Sequence, residues 1–159
     1  MNDSVNLILQ SSLGRELSGE EAELLGRMMS ARSLSDGEFL LSEGTADDAL
    51  HVLLAGKLEV VKKSGANEFV NLGILRDGDL AGELSFIDGQ EHSVGLRALC
   101  DTRVLTLKRT DFEGIIETHP QLVYKVMRAI TRSAARIVHR MNHEFSELSN
   151  YIFKQHGRY

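Results

Sequence analysis

Glycine placement constrains the fold of this 159-residue chain more than any other feature. Nine of its fourteen glycines fall between Gly37 and Gly95, and the other five are scattered over the two ends. Glycine adopts positive φ without steric cost, so this density marks a run of tight turns. The stretches between the turns are short and β-rich: Phe39-Leu40-Leu41, His51-Val52-Leu53-Leu54, Leu58-Glu59-Val60-Val61 and Phe69-Val70-Asn71-Leu72, then Val94 to Ala98 and Arg103 to Leu107. Many short strands at roughly 8–12-residue spacing predict a sandwich or jelly roll.

Helical patterning flanks this β region. Ser18 followed by Glu21 is a capping box, and Ala22, Leu24, Leu25, Met28 and Met29 form an apolar face. Thr110 with Glu113 predicts a second capping box. Pro120 then suits the first position of a new helix, where its missing N–H is not needed. Apolar residues continue from there at Val123, Met127, Ile130, Ala134, Ile137, Met141, Phe145, Leu148 and Ile152. Alternating spacings of 4 and 3 are those of a coiled-coil seam, and the doubled 4 after Ile137 is a stutter. A helix of about thirty residues is roughly 45 Å long, more than a small β domain covers. Part of the seam is therefore expected to meet a second chain.

The expected class is α+β in one domain, 1–159. N-terminal helices occupy 1–30, an antiparallel β-roll or jelly roll 31–109, and helices 110–155, the last a long C-terminal dimerisation helix. A single cysteine, Cys100, leaves no internal disulfide and no four-cysteine metal site. With 42% hydrophobic and 26% charged residues, the chain is composed like a folded domain. Its longest apolar runs are a few residues, too short to span a membrane, and Met1-Asn2-Asp3-Ser4 lacks a basic leader. A cytoplasmic protein is expected.

The net charge of −5 hides a polarity. Residues 1–50 carry −7, residues 51–120 carry −3 and residues 121–159 carry +5. Lys125, Arg128, Arg132, Arg136 and Arg140 form a basic stripe beside the apolar seam, and no acid occurs from Gln121 to Asn142. The stripe suits an acidic face of its own β domain, an acidic partner or nucleic acid. His139 and His143 stand one helical turn apart, a spacing that can share a metal, but no nearby acid or cysteine completes a site within the chain, Glu144 faces another direction, and no metal site is expected.

Residues 78–98 carry the chemistry. Gly82 ends a strand, Glu83-Leu84-Ser85-Phe86-Ile87 forms one helical turn whose free N–H groups favour an anion, and Gly89 turns the chain back toward Val94–Ala98. This segment, 82–95, resembles the phosphate-binding cassette of cyclic nucleotide-binding domains, the sensor module of the catabolite activator protein superfamily. Asp36-Gly37-Glu38-Phe39-Leu40-Leu41-Ser42-Glu43-Gly44 resembles the family's first hairpin, and His51 to Val60 the next. Thr110–Ile116 and the helix from Pro120 are similar to its two C-terminal helices.

The resemblance implies a small-molecule sensor, not an enzyme, with cyclic AMP or cyclic GMP as possible ligands and no other cofactor. It assigns ligand contacts to Gly82, Glu83, Leu84, Ser85, His92 and Ser93. In the family, the glutamate of the Gly-Glu pair accepts a hydrogen bond from the ribose 2′-hydroxyl, and an arginine followed by a small or hydroxyl residue holds the cyclic phosphate. Gly82-Glu83 and Ser93 match, but His92 stands where the arginine belongs. Neutral histidine offers one donor and no charge, where arginine offers a charged planar fork. Arg132 or Arg136, reaching from the long helix, could substitute. Ile137 and Val138 occupy positions where cyclic AMP-binding relatives commonly carry hydroxyls.

The family's DNA-binding regulators continue with a winged helix-turn-helix, whereas this sequence stops at Tyr159. Direct DNA binding is not expected of the residues present. Three readings stay open: a stand-alone sensor, homodimeric through 120–152, that signals to a protein partner; a ligand-free interaction module with a degenerate pocket; or the sensor half of a transcription regulator.

Overall fold

A computed structural model describes residues 3–156. Helices α1 (Asp3–Gln10) and α2 (Gly19–Met28) precede strands β1 (Ser30–Leu34), β2 (Phe39–Leu41), β3 (Ala49–Ala55), β4 (Leu58–Lys63), β5 (Phe69–Leu75) and β6 (Leu80–Ala81). Helix α3 (Glu83–Asp88) interrupts the strands, β7 (Gly95–Ala98) and β8 (Thr102–Lys108) complete them, and α4 (Arg109–Glu113) and α5 (Pro120–His156) follow. The strands form two four-stranded antiparallel sheets, ordered β1-β8-β3-β6 and β2-β7-β4-β5. This is the expected β-roll with N-terminal helices and a long C-terminal helix.

Strand β3 is the centre of the molecule. Alternate side chains of a strand point to opposite faces. Leu50, Val52 and Leu54 join the cluster formed with Ile8, Leu25, Phe86, Phe112, Leu122 and Val126, beneath the helices. Leu53 joins the other cluster, with Leu40, Leu41, Leu58, Leu96 and Val104, between the sheets. Both faces of β3 are thus covered, which is why it reads as a nearly continuous apolar run. His51 is the polar exception in that run and is buried.

The Ser18–Glu21 capping box forms as expected: Glu21 N–H donates to Ser18 Oγ at 3.2 Å and Ser18 N–H to Glu21 Oε2 at 2.8 Å. The box predicted at Thr110 does not form. Strand β8 runs to Lys108, paired with Ala49, and Arg109 N–H donates to the Asp48 carbonyl at 2.9 Å. That pairing starts α4 at Arg109 and leaves Thr110 inside it.

Helix α5 has 37 residues, about 55 Å. Its first four turns bury Leu122, Val126, Ala129, Ile130 and Ser133 against the domain, with Val123 and Met127 partly buried beside them. The early seam positions therefore serve the chain's own core. From Val138 onward large apolar side chains are exposed, with Met141 at 60%, Phe145 at 72% and Leu148 at 56%. Among the described residues no helix is long and apolar enough to cross a membrane.

Candidate functional site

The cassette is shaped by backbone geometry at its opening. Strand β6 pairs Ala81 with His51 and Leu80 with Val52. Gly82 then takes φ 80°. A Cβ there would lie 2.7 Å from the Ala49 carbonyl oxygen and 3.2 Å from the His51 ring, so only glycine lets the chain leave the sheet this close to β3. Helix α3 follows at once. Its Phe86 is buried against Phe112 of α4, ring centroids 5.3 Å apart. Buried Ser85 accepts the N–H groups of Asp47 and Asp48 on Oγ, both at 3.1 Å, and pins the β2–β3 loop to the cassette. Leu84 and Ile87 remain on the exposed side.

Glu83 is half-buried beside α5, and the Ser133 hydroxyl lies 3.4 Å from its Oε1. Burial pushes the Glu83 carboxyl up from the usual range, while its own backbone N–H, Ser133 and His51 oppose the rise and Asp79 adds to it. The folded state therefore holds this proton to higher pH than the unfolded chain does. Between the unfolded value near 4.5 and the raised folded value, stability falls as pH rises. Glu83→Gln is expected to melt a few degrees above the wild type at neutral pH, with the difference shrinking below the unfolded value. Calorimetric melts across that range check this; a Gln variant that melts lower at neutral pH would contradict it.

His92 is buried rather than projecting from the loop. Its N–H donates to the Thr45 carbonyl at 2.7 Å, and its carbonyl accepts Gly44 N–H at 2.8 Å. Its Nε2 lies 3.1 Å from Asp47 Oδ1. The other carboxylate oxygen, Oδ2, is 2.6 Å from His51 Nε2, and His51 Nδ1 is 2.9 Å from Thr106 Oγ1 on the strand paired with it. Burial pushes the Asp47 carboxyl up, but the His51 hydrogen bond and the two histidine charges outweigh it and leave it below its ordinary value. Ser93 is exposed, and its carbonyl accepts from Lys62 Nζ at 2.8 Å.

The two arginines proposed from α5 are engaged elsewhere. Arg132 pairs with Glu16, and Arg136 donates to Ser12 Oγ at 3.0 Å. Arg128 also reaches Glu16, at 3.6 Å, and Lys125 chelates Glu21 at 2.8 Å. The basic stripe thus seats α5 on the acidic N-terminal segment. Ile137 and Val138 are partly and well exposed. His139 and His143 are exposed, His143 lies 3.8 Å from Glu147, and among the described residues no group of three side chains is arranged to hold a metal.

The structure brings together Gly82, Glu83, Leu84, Ser85, His92 and Ser93 around one loop-and-helix unit. Sequence reasoning missed Asp47, His51 and Ser133. Ser133 could have been found, because it lies one turn before Ile137 on the long helix. Asp47 sits next to Asp48 in a loop, and nothing in its neighbourhood marks it.

The cyclic nucleotide-binding domain model matches residues 31–119, from β1 to the residue before Pro120. The chain belongs to the cyclic nucleotide-binding domain family. It is 27% identical over 122 residues to the cyclic AMP receptor protein of Thermus thermophilus, covering 77% of this chain and 56% of that protein. The chain thus spans little more than half the length of that relative. The structure of the Thermus thermophilus catabolite activator protein superposes with a TM-score of 0.73 at 27% identity, over 87% of this chain and 63% of that one. A cyclic nucleotide-binding domain from Methylobacillus flagellatus matches with a TM-score of 0.76 at 22% identity, over 93% of this chain and 82% of that one, which speaks to fold alone.

Proposed function

We propose that this chain is a sensor domain that binds a small anionic ligand, cyclic AMP or cyclic GMP weakly, in the 82–95 cassette. Ligand would move the cassette and α5 and alter contact with a partner. The observation that carries this reading is the pairing of an intact Gly82–Glu83 opening, closed over by Ser133 of α5, with a phosphate position occupied by His92. The first half supports a nucleotide, and the second supports low affinity. Similarity to a protein named for cyclic AMP supports the ligand class. Homodimerisation through the exposed part of 120–152 belongs to the same proposal: a second copy supplies an identical apolar stripe.

Calorimetry with cyclic AMP and cyclic GMP tests it. Binding in the micromolar to millimolar range is expected, and the absence of heat with millimolar ligand removes the nucleotide. His92→Arg is expected to tighten cyclic AMP binding about tenfold to a hundredfold, because a charged hydrogen bond contributes roughly 1.5–3 kcal/mol. No gain would show that the histidine is not the weak contact. One observation favours a second reading, the ligand-free interaction module: His92 already has an internal partner in Asp47.

A further inference from the structure

Two buried imidazoles converge on one carboxylate at the cassette. Asp47 is ionised at neutral pH, so it can only accept, and both His51 Nε2 and His92 Nε2 must carry the hydrogens. The Asp47 side chain keeps 32% of its exposure, whereas those of His51 and His92 keep 5% and 6%. An external anion can therefore reach the carboxylate's edge but meets histidines that are already donating. The charges around them are mostly negative. Glu83 of α3 and Asp47 both bear on His51, Asp79 bears on Glu83, and Asp48 pairs with Arg109 of α4 at 3.1 Å. Thr106 of β8 faces His51 Nδ1 as a neutral hydroxyl.

The His51–Asp47–His92 group therefore holds its own anion: one carboxylate already accepts from both imidazoles, and the Thr106 hydroxyl takes the remaining ring nitrogen of His51.

We propose that Asp47 is a resident counter-anion of the cassette, holding the imidazoles that an incoming phosphate would engage, so that an external anion binds here against the Asp47 carboxylate. The proposal rests on the anion-sensor reading above and adds its restraint: the site is already occupied by a carboxylate of its own chain. Asp47 is a positioning residue here, acting through His92 on the ligand.

The probes are cyclic AMP and inorganic phosphate, titrated calorimetrically at neutral pH into the full chain and into Asp47→Asn, which keeps the shape and removes the charge. Asp47→Asn is expected to bind anion about fivefold or more tightly than the wild type. Thermal melts establish that Asp47→Asn is folded. Cyclic AMP binding that is equal in the two proteins overturns the resident anion and leaves the nucleotide reading standing. Phosphate binding that tightens in Asp47→Asn, with no cyclic AMP binding by either protein, supports the resident anion and removes the nucleotide. No anion bound by either protein overturns both.

Discussion

Phe86→Ala is expected to cost the fold about 3–5 kcal/mol, the usual loss for a fully buried phenylalanine whose site cannot collapse. Phe86 is 1% exposed and lies in the cluster that joins Leu50, Val52, Leu105 and Leu107 of the sheet to Leu122 and Val126 of α5. Its ring meets Phe112 at 5.3 Å, so the cavity would open where three layers converge. In a chain of this size about 1 kcal/mol corresponds to roughly 2–4 °C, which places the expected fall in melting temperature at about 6–20 °C. Leu84→Ala is the matched control. Leu84 lies two residues away on the same six-residue helix but is 62% exposed, so its loss should change stability by about 0.5 kcal/mol or less. Equal melting of the two variants would mean that α3 is not anchored through Phe86. The contrast bears on the proposed signalling as well as on stability. One face of α3 presents the cassette, and the other is wedged against α4, so a ligand that shifts α3 must repack the Phe86–Phe112 contact.

The elements legible in the sequence are those whose signals are local. Ser18 and Glu21 satisfy each other within one helical turn, and Gly82 and Gly89 mark both ends of α3 because each sits at positive φ. Strand β3 announces itself because both of its faces are covered. Strand β1 does not: Ser30-Ala31-Arg32-Ser33-Leu34 has one buried residue and owes its extended form to pairing with β8, from Ser30 opposite Thr106 to Leu34 opposite Thr102. Strand β6 is two residues long and exists through its pairing with β3. The same division runs through the site. Glu83 and His92 lie in the cassette and were found there. The partners that decide their chemistry came from other elements: Asp47 is 45 positions before His92, Thr106 is 55 after His51, and Ser133 is 50 after Glu83. A sequence pattern marks a residue type at a place; the charge around it is set by whichever strand or helix is folded against it.

Phe145→Glu combined with Leu148→Glu is expected to turn a dimer into a monomer without unfolding the domain. Helix α5 runs out of domain to cover after Ser133, and Met141, Phe145 and Leu148 continue its apolar pattern at spacings of 4 and 3 with their side chains exposed. A second copy of the helix presents the same stripe in reverse role, which makes the contact self-complementary, the requirement of a two-fold interface. Burying a side chain of this kind contributes about 1.5–3 kcal/mol, and the double change removes four of them per dimer. At about 1.4 kcal/mol per factor of ten, association should weaken by roughly 10⁴-fold or more. Sedimentation at micromolar concentration should therefore show a wild-type dimer and a variant monomer, while the monomer's circular dichroism and cassette contacts persist, since neither residue packs on the β-roll. A wild type that sediments as a monomer, or a variant that remains dimeric, would sink the idea. The consequence for sensing follows from helix geometry. Ser133 at Glu83 and Ile137 one turn later lie on the same side of α5, so the apolar stripe begins within a turn of the cassette carboxyl. If that short stretch of helix has two arrangements, ligand binding and association bias the same equilibrium, and each must change the other by the same factor. Cyclic AMP affinity should then differ between wild type and the monomeric variant, although the double change touches no residue of the cassette.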